Sequence, residues 1–405
     1  MAGLMSPAPR PWGARGRHLL PAIIGTAFLL AVAALLPGHG TVDRAAAAGP
    51  LKGQKFLPSG KKMFHGVSDT ADVKDFKHFE KRVKHHPAVL QVFYHWDVDL
   101  EFSGAYDRWA ATKTLGMVSL STKNPARGGD SMPLSRIASG REDKFIIRLN
   151  RQVAKQGLPI YYRLFPEMNG HWNPYSAYNA DGSKRGSKYS KKNFIKAWRR
   201  IVTIARGGSR IQINKRLRKL GMPRLHRAGS DNSGSYDKPK KRVPRRLERA
   251  PISFMWVPQT FGSPNIPGNQ PQDYWPGKKY VDWVGADIFS KYQSAFPHLD
   301  RFYRKYSKKK KKPFVIGEYS PWDNDYNGAF TKRLMKWAKK NGRVRMLVYY
   351  RSVTKGTSNP HYITKFPKAK RQLRRQLTNK SFEQYPKQAA NFDLKPYGGG
   401  AALRD

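Results

Sequence analysis

Short apolar runs alternate with longer stretches of helical period along most of this chain. Continuous apolar runs bounded by turn residues predict buried strands, and apolar positions repeating every three to four residues predict amphipathic helices. We predict eight strands, at 62–67, 89–95, 115–120, 160–164, 252–257, 281–288, 314–316 and 345–350. Helical patterns lie between them, for example at 142–156, 193–205 and 328–340. This order is typical of parallel strands joined by crossover helices.

Two folds satisfy such an order. Eight strands with intervening helices suit a (β/α)8 TIM barrel, whose usual size fits the length of this chain. A doubly wound sheet is the alternative, and it usually carries a glycine-rich fingerprint after its first strand. Here the first predicted strand ends in the sequence HGVSD at 65–69, which has no such fingerprint. We therefore predict a barrel over residues 61–385.

The N-terminal segment has the pattern of a targeting sequence. Arg10, Arg15 and Arg17 precede an apolar run at 19–36, and alanines follow at 45–48. This arrangement is typical of a secretory signal peptide, although the run is long enough for an uncleaved membrane anchor or a buried core helix. We divide the chain into a signal or anchor at 1–48, a linker at 49–60, the barrel and a tail at 386–405. The barrel is then expected to be extracellular and to contact a membrane only through an uncleaved N-terminal segment.

Composition adds a strong positive charge. The 405 residues include 77 Lys and Arg against 27 Asp and Glu, a formal net charge of +50. Such a chain is attracted to polyanions. Two basic segments, 206–250 and 308–312, precede predicted strands, so a barrel would hold them on the face opposite its active site. They are either solvated loops or a means of attachment to an anionic cell-wall polymer, and we expect no specific nucleic acid.

Several chemistries lack sequence support. There is no Cys, which excludes disulfides, cysteine zinc sites, iron–sulfur clusters and thiol nucleophiles. The sequence contains no H-E-x-x-H pair, no Walker motif and no G-x-S-x-G elbow. We expect neither a metal nor another cofactor.

Two of the seven glutamates stand apart from the rest. Glu167 and Glu318 follow apolar strands, the fourth and seventh of the predicted barrel. Side chains at the C-terminal ends of barrel strands line the mouth where catalytic groups gather. Two facing carboxyl groups are what a glycosidase requires, one protonated to donate to the departing oxygen and one charged to attack. Arg163, four residues before Glu167, can hold and balance the charge of a neighbouring carboxylate.

Aromatic and polar side chains accompany the two glutamates. Sugar rings have apolar faces and polar rims, which suit aromatic platforms with nearby amides and carboxylates. Packing in the core is the alternative for each tryptophan. The candidate substrate-binding residues are Trp96, Arg163, Asn169, Trp172, Trp256, Asp287, Tyr319 and Trp322.

These motifs resemble glycoside hydrolase family 26. The likeness rests on RLFPEMNGHW at 163–172 and VIGEY at 315–319. It extends through MVSLS at 117–121, IASG at 137–140, MWVP at 255–258, YWPG at 274–277 and YVDWVG at 280–285. The family consists of barrel enzymes best known as endo-β-1,4-mannanases, with some β-glucanases and xylanases.

The resemblance implies a role for each matching residue. Glu167 would be the general acid/base and Glu318 the nucleophile of a retaining double displacement. Arg163 would lie beside them, with Trp172 on the leaving-group side and Trp322 on the glycone side.

Two positions depart from the family pattern. Pro166 replaces the histidine that usually precedes the acid/base, and Phe289 replaces a tyrosine that usually donates to the nucleophile. Tyr292 and Tyr319 are the candidate substitutes. We therefore expect a secreted retaining hydrolase of β-linked polysaccharide, mannan first, with a non-catalytic glycan- or polyanion-binding barrel as the alternative.

Overall fold

The structure, a computed structural model, describes residues 50–68, 72–96, 103–123, 132–225, 244–322, 327–351 and 361–389. The predicted signal or anchor, the middle of the basic segment 206–250 and most of the predicted tail lie outside these residues. In the described part, no helix is both long and apolar enough to cross a bilayer.

Eight parallel strands form the central barrel, whose first and last strands pair with each other, and a short ninth strand of the same sheet, Phe382–Glu383, also pairs with the first. They are β1 (Met63–Ser68), β2 (Val89–His95), β3 (Leu115–Ser121), β4 (Ile160–Leu164), β5 (Ile252–Trp256), β6 (Trp283–Phe289), β7 (Phe314–Ser320) and β8 (Val344–Tyr349). Each strand pairs with the next in sequence order, and β1 pairs with β8 through Phe64 and Met346. The predicted (β/α)8 barrel is confirmed. The largest difference from prediction is at β7, which runs four residues further and includes Glu318.

Helices fill the connections between strands. They are α1 (Val73–Val83), α2 (Ser103–Thr112), α3 (Leu134–Ala138), α4 (Asp143–Gln156), α5 (Lys191–Ala205), α6 (Arg210–Lys219), α7 (Phe296–Phe302), α8 (Ala329–Lys340) and α9 (Pro367–Gln376). At several helix starts a side chain accepts a hydrogen bond from a backbone N–H group. At the start of α1, Oδ1 of Asp72 accepts from the N–H of Asp75 at 2.7 Å. The larger apolar core lies between these helices and the outer faces of the strands.

A second core fills the barrel interior. It contains large side chains from alternate strand positions, including Phe64, Met117, Tyr161, Met255 and Trp283. Such filling makes the barrel a packed core rather than a pore. Access from solvent to polar groups inside the barrel is therefore restricted to its mouth.

Residues 51–60 close the other end of the barrel, and we call them the basal strap. Backbone oxygens of the strap accept hydrogen bonds from side chains that the barrel presents there. The bonds join Arg206 to Leu51, Ser253 to Gln54, Trp283 to Lys55, Tyr161 to Phe56 and Arg345 to Pro58. Phe56 packs against the inner core. The strap lies within the predicted linker at 49–60 and is ordered because these buried donors need acceptors that its backbone supplies.

Candidate active site

Glu167 lies in a strained turn directly after β4. Phe165 and Glu167 have φ values of 45° and 51°, which are unusual for residues other than glycine. The turn is held by Glu167 N, which donates to Val257 O at 2.8 Å, and by the Tyr175 hydroxyl, which donates to Pro166 O at 2.6 Å. Strain fixed by surrounding bonds in this way concentrates at functional sites.

The Glu167 carboxylate has two side-chain donors. Nε1 of Trp172 donates to Oε2 at 2.8 Å, and Nε2 of Gln259 donates to Oε1. Trp172 is 51% exposed, which makes it an unusually open tryptophan. The carboxylate therefore lies at an open rim, beside an aromatic face that a sugar ring can cover.

Glu318 lies deeper and is held by an arginine from the opposite side of the barrel. The guanidinium of Arg163, on β4, donates through Nη1 to Glu318 on β7 and through Nη2 to Asp287 on β6. The side chains of Arg163 and Asp287 are completely buried, whereas that of Glu318 retains 13% exposure. Of these three groups, only Glu318 is open to a ligand.

Gly317 makes this packing possible. A Cβ at this position would lie 2.8 Å from Oδ1 of Asp287 and 3.0 Å from Nε of Arg163. Any larger residue would push the aspartate or the arginine out of place.

Burial has the largest effect on the pKa values of Glu318 and Asp287. It raises the pKa of Glu318, with the charge of Glu167 adding to the effect and Arg163 opposing it. Burial also raises the pKa of Asp287 well above its usual range, again against Arg163. Although burial lowers the pKa of Arg163, the carboxylates around it raise the pKa further, so the guanidinium stays charged.

Gln91, on β2, is a further neighbour of Glu318. Its side chain is completely buried, and its amide, which faces Glu318, lowers the pKa of that carboxyl. Neither amide atom makes a hydrogen bond of ordinary geometry with another described residue. A buried amide inside an otherwise apolar strand is a signal that the sequence carries and that our sequence analysis missed.

Three of the predicted sugar contacts, Trp96, Trp256 and Tyr319, have side chains that are completely buried in the core. Trp96 stacks on Phe145 with ring centroids 4.0 Å apart, and Trp256 packs against Phe302 at the end of α7 and Tyr306 beyond it. The hydroxyl of Tyr319 pairs with Nε2 of His65 at 2.7 Å, so it does not substitute for the missing tyrosine either. The side chain of Tyr292, the other candidate substitute, lies outside the described residues.

The other three predicted contacts that are buried, Asn169, Arg163 and Asp287, hold the two glutamates or the residues that bond to them. Asn169 is completely buried; it accepts from Gln259 N at 2.9 Å and donates to Gln259 O at 3.1 Å. It thereby fixes the residue that donates to Glu167. Arg163 and Asp287 are likewise buried; Arg163 bonds directly to Glu318, and Asp287 bonds to Arg163. Gln259 itself was missed, although it follows β5 closely and the strand-end rule applies to it.

Trp322 and Phe289 form an aromatic wall near the end of β7. Their rings meet edge to face, 5.7 Å between centroids and 89° between planes. His361 contacts both, and its Nδ1 lies 2.5 Å from the Ser320 hydroxyl. Trp322 is half-buried, so part of its ring remains open at the mouth. Trp172 and Trp322 are thus the two predicted platforms that the structure leaves accessible.

Comparison with solved structures gives a likeness over most of the chain. The endo-β-1,4-mannanase of Cellulomonas fimi, a double mutant, matches with a TM-score of 0.51 and 13% identity, over 82% of this chain and 74% of that one. A Bacillus subtilis mannanase matches at 0.49 and 14%, covering 81% and 93%, and a GH26 β-mannanase from Bacteroides ovatus at 0.47 and 14%, covering 83% and 89%. No family model and no curated protein sequence matches.

At this level of identity the likeness concerns the fold. The chain shares the (β/α)8 barrel of the Cellulomonas enzyme. The resemblance to glycoside hydrolase family 26 predicted from the sequence motifs is confirmed as a likeness of fold.

Proposed function

We propose that this protein is a retaining glycoside hydrolase that cleaves a β-linked polysaccharide, with mannan as the favoured substrate. The observation that carries the proposal is the contrast between two carboxyl groups in one mouth. Glu167 lies at an open aromatic rim, and Glu318 is held below by a buried arginine. Retaining glycosidases need such a pair in two different environments.

The reaction would proceed in two displacements. The Glu167 carboxylic acid donates its proton to the glycosidic oxygen while an Oε atom of Glu318 bonds to the anomeric carbon, and the bond to the leaving sugar breaks. Glu167, now a carboxylate, then takes a proton from water. The resulting oxygen nucleophile attacks the anomeric carbon and displaces Glu318, which restores both groups.

Neighbouring residues would have defined parts in these steps. Arg163 opposes the effect of burial on the pKa of Glu318 and so favours the charged carboxylate that a nucleophile requires. Trp172 provides an exposed ring on the side of Glu167, where the leaving sugar would stack. Trp322 would contact the sugar that becomes attached to Glu318.

Mannan is favoured over other β-linked polymers on two grounds. The sequence motifs resemble a family best known for mannanases, and the Cellulomonas structure of the same fold is an endo-β-1,4-mannanase. We also propose that the protein is secreted, on the basis of the N-terminal pattern of Arg10, Arg15 and Arg17 before an apolar run.

Reducing-sugar release tests the proposal. The full chain would be incubated with β-mannan, mixed-linkage glucan and xylan, beside the variants Glu167→Gln, Glu318→Gln and Glu248→Gln. Glu248 is exposed and belongs to the basic segment before β5, so its variant is a matched control. We expect release by the wild type and the control, and a loss of at least about 1,000-fold in the two site variants. Full activity in either site variant would refute the assignment.

A non-catalytic glycan-binding barrel is the second candidate. Phe289 favours it, because no hydroxyl is available at this position to donate to Glu318. Calorimetry with mannohexaose, followed by analysis of the recovered sugar, separates the two. Binding with the hexasaccharide recovered intact from a wild-type protein would favour the second candidate.

A further inference from the structure

The end of the barrel opposite the mouth is densely basic. We call the exposed cations of the segments leading into the strands, together with Lys380 near the start of β1, the basal surface. Among the described residues they are Lys52, Lys55, Lys61, Lys84, Lys113, Arg245, Arg246, Arg249, Lys278, Lys279, Lys308, Lys309, Lys311, Lys339, Lys340 and Lys380. The acids near them are the exposed Glu248, the half-exposed Glu383 and the buried Asp282. Positive charge therefore far exceeds negative charge at this end.

The fold fixes these cations on one face, although they are far apart in sequence. Nε1 of Trp283 donates to Lys55 O at 2.8 Å, and the guanidinium of Arg249 donates to Lys52 O at 3.1 Å. Arg206 donates to both Leu51 O and Lys279 O, at 3.0 and 2.9 Å. The basal strap is thus bonded to two other basic segments, and the face is a defined surface rather than a set of independent tails.

The pKa of Lys312, which lies just beneath this surface, reflects the positive charge around it. Its pKa is lowered to about 8, first by burial and then by the charges of Lys55, Arg206 and Lys278, while Asp282 opposes the shift. Concentrated like charge of this kind destabilises a folded chain and attracts counter-charges. A partner of opposite sign would relieve the repulsion.

The proposed reaction does not use this charge. Glu167, Asp287 and Glu318 lie at the mouth, and Arg163 there is already paired with two carboxylates. The substrate that we propose is an uncharged sugar polymer. The basal cations therefore require a separate explanation. Because they lie at the end of the barrel opposite the mouth, a polymer bound to them would not block the mouth.

We propose that the basal surface binds a flexible, phosphodiester-linked polyol polymer of the cell envelope. Thirteen of the sixteen basal cations are lysines, and the lysine ammonium is a compact point charge that binds phosphate without demanding a fixed planar geometry. A flexible polymer, whose phosphates take no fixed position, can be bound by such point charges.

The aromatic residues at this end disfavour a single-stranded nucleic acid. Such ligands stack successive bases on free aromatic faces. Among the described residues near the basal surface, Trp275 lies under the ammonium of Lys310, 5.1 Å away. Tyr385 is exposed but stacks on His86 with centroids 4.3 Å apart, which covers one face. Neither ring forms part of a continuous stacking surface.

Binding of the full chain to fluorescently labelled poly(glycerol phosphate), measured by anisotropy across a range of salt concentrations, tests the proposal. The basal variant carries Lys278→Gln, Lys279→Gln, Lys308→Gln and Lys309→Gln. The control variant removes the same charge from exposed positions on α4 and α8, through Lys144→Gln, Arg148→Gln, Lys332→Gln and Lys336→Gln. Thermal unfolding of both variants verifies that they fold.

We expect the basal variant to bind about tenfold or more weakly, with a shallower dependence on salt, and the control to stay within about threefold of the wild type. Equal losses in the two variants would overturn the proposal, because net charge rather than this surface would then determine binding. Tighter binding to polygalacturonate, to single-stranded DNA or to anionic vesicles than to poly(glycerol phosphate) would overturn the choice of partner. The assay needs no catalysis, so its outcome is independent of the proposed hydrolase activity.

Discussion

Nε1 of Trp172 donates a 2.8 Å hydrogen bond to Oε2 of Glu167, although half of the Trp172 side chain is exposed to solvent. One side chain thus combines an open apolar face with a polar atom directed at the candidate acid/base. A sugar that covers the indole would also exclude water from this hydrogen bond and strengthen it. The two contributions, ring stacking and hydrogen bonding, can be separated by substitution.

Trp172→Phe and Trp172→Ala should therefore differ in their kinetics on mannan. Phenylalanine retains an apolar ring but has no N–H, so we expect KM to stay within about threefold and kcat to fall about tenfold, the usual effect of losing a hydrogen bond to a charged group. Alanine removes the ring as well, and KM should rise a further tenfold or so. Initial-rate measurements over a range of mannan concentrations give both constants. Wild-type kinetics in Trp172→Phe would show that the hydrogen bond has no part in the reaction.

As the proposed nucleophile, Glu318 should determine the acidic limb of the pH profile of the proposed hydrolase activity. The nucleophile must be charged, so kcat/KM rises as pH increases through its pKa, which burial raises above the ordinary value. Since the amide of Gln91 lowers this pKa, Gln91→Leu should move the acidic limb to higher pH. Ser253→Ala, a strand variant whose hydroxyl bonds to the basal strap, is the control and should leave the limb in place. An unmoved limb in Gln91→Leu would contradict the contact between Gln91 and Glu318.

The buried pair of Arg163 and Asp287 should contribute to both stability and activity. Asp287→Ala leaves the guanidinium with one carboxylate instead of two, and breaking a buried pair costs about 3–5 kcal/mol of unfolding free energy. Asp143, which pairs with the buried Arg200 at 2.6 and 2.5 Å between α4 and α5, is a matched control. We expect Asp143→Ala to lose similar stability in urea unfolding but to retain kcat, whereas Asp287→Ala should lose both. Retained kcat in folded Asp287→Ala would show that Asp287 does not position Glu318 through Arg163.

Sequence patterns predicted the barrel because each strand is a continuous apolar run between turn residues, and β2 and β4 have the predicted bounds. They also select Glu167 and Glu318 as candidate catalytic residues, since a carboxylate at the end of an apolar strand is conspicuous. The direction in which each strand-end side chain points was harder to predict. Tyr319 is adjacent to Glu318, and successive strand residues point to opposite faces, so one lies in the mouth and the other against the helices. The strand-end rule gives the position of a residue along the barrel axis but not the face it occupies.

The ordered conformation of the basal strap is a second feature that the sequence pattern does not predict. Its residues include Gly53, Pro58 and Gly60 among lysines, a composition typical of a linker. Its order comes from donors that belong to distant parts of the chain, such as Trp283 and Arg345. No local pattern records these bonds, because each needs the closed barrel to bring donor and acceptor together.

Phe289→Tyr should increase the proposed hydrolase activity. Phe289 and Asp287 are two residues apart on β6 and so share a face, and Phe289 pairs in register with Ser320, two residues beyond Glu318. A hydroxyl added here would lie near the nucleophile and donate to it, as the tyrosine of the family usually does. Because a donated hydrogen bond favours the charged carboxylate, the acidic limb of kcat/KM should move to lower pH. We expect kcat/KM at that limb to rise about tenfold, the scale of a hydrogen bond to a charged group.

Phe93→Tyr is the matched control for this gain. Phe93, on β2, meets Tyr350 edge to face at 6.2 Å, and Phe289 meets the same tyrosine at 5.9 Å. The two variants therefore add the same hydroxyl to the same aromatic cluster, but only position 289 lies beside the strand that carries Glu318. Kinetics of both variants across pH 3–8 should show the shift in Phe289→Tyr alone. A wild-type rate and pH profile in Phe289→Tyr would contradict this prediction. It would show that Glu318 gains nothing from an added donor at position 289 beyond the effects of Arg163 and Gln91.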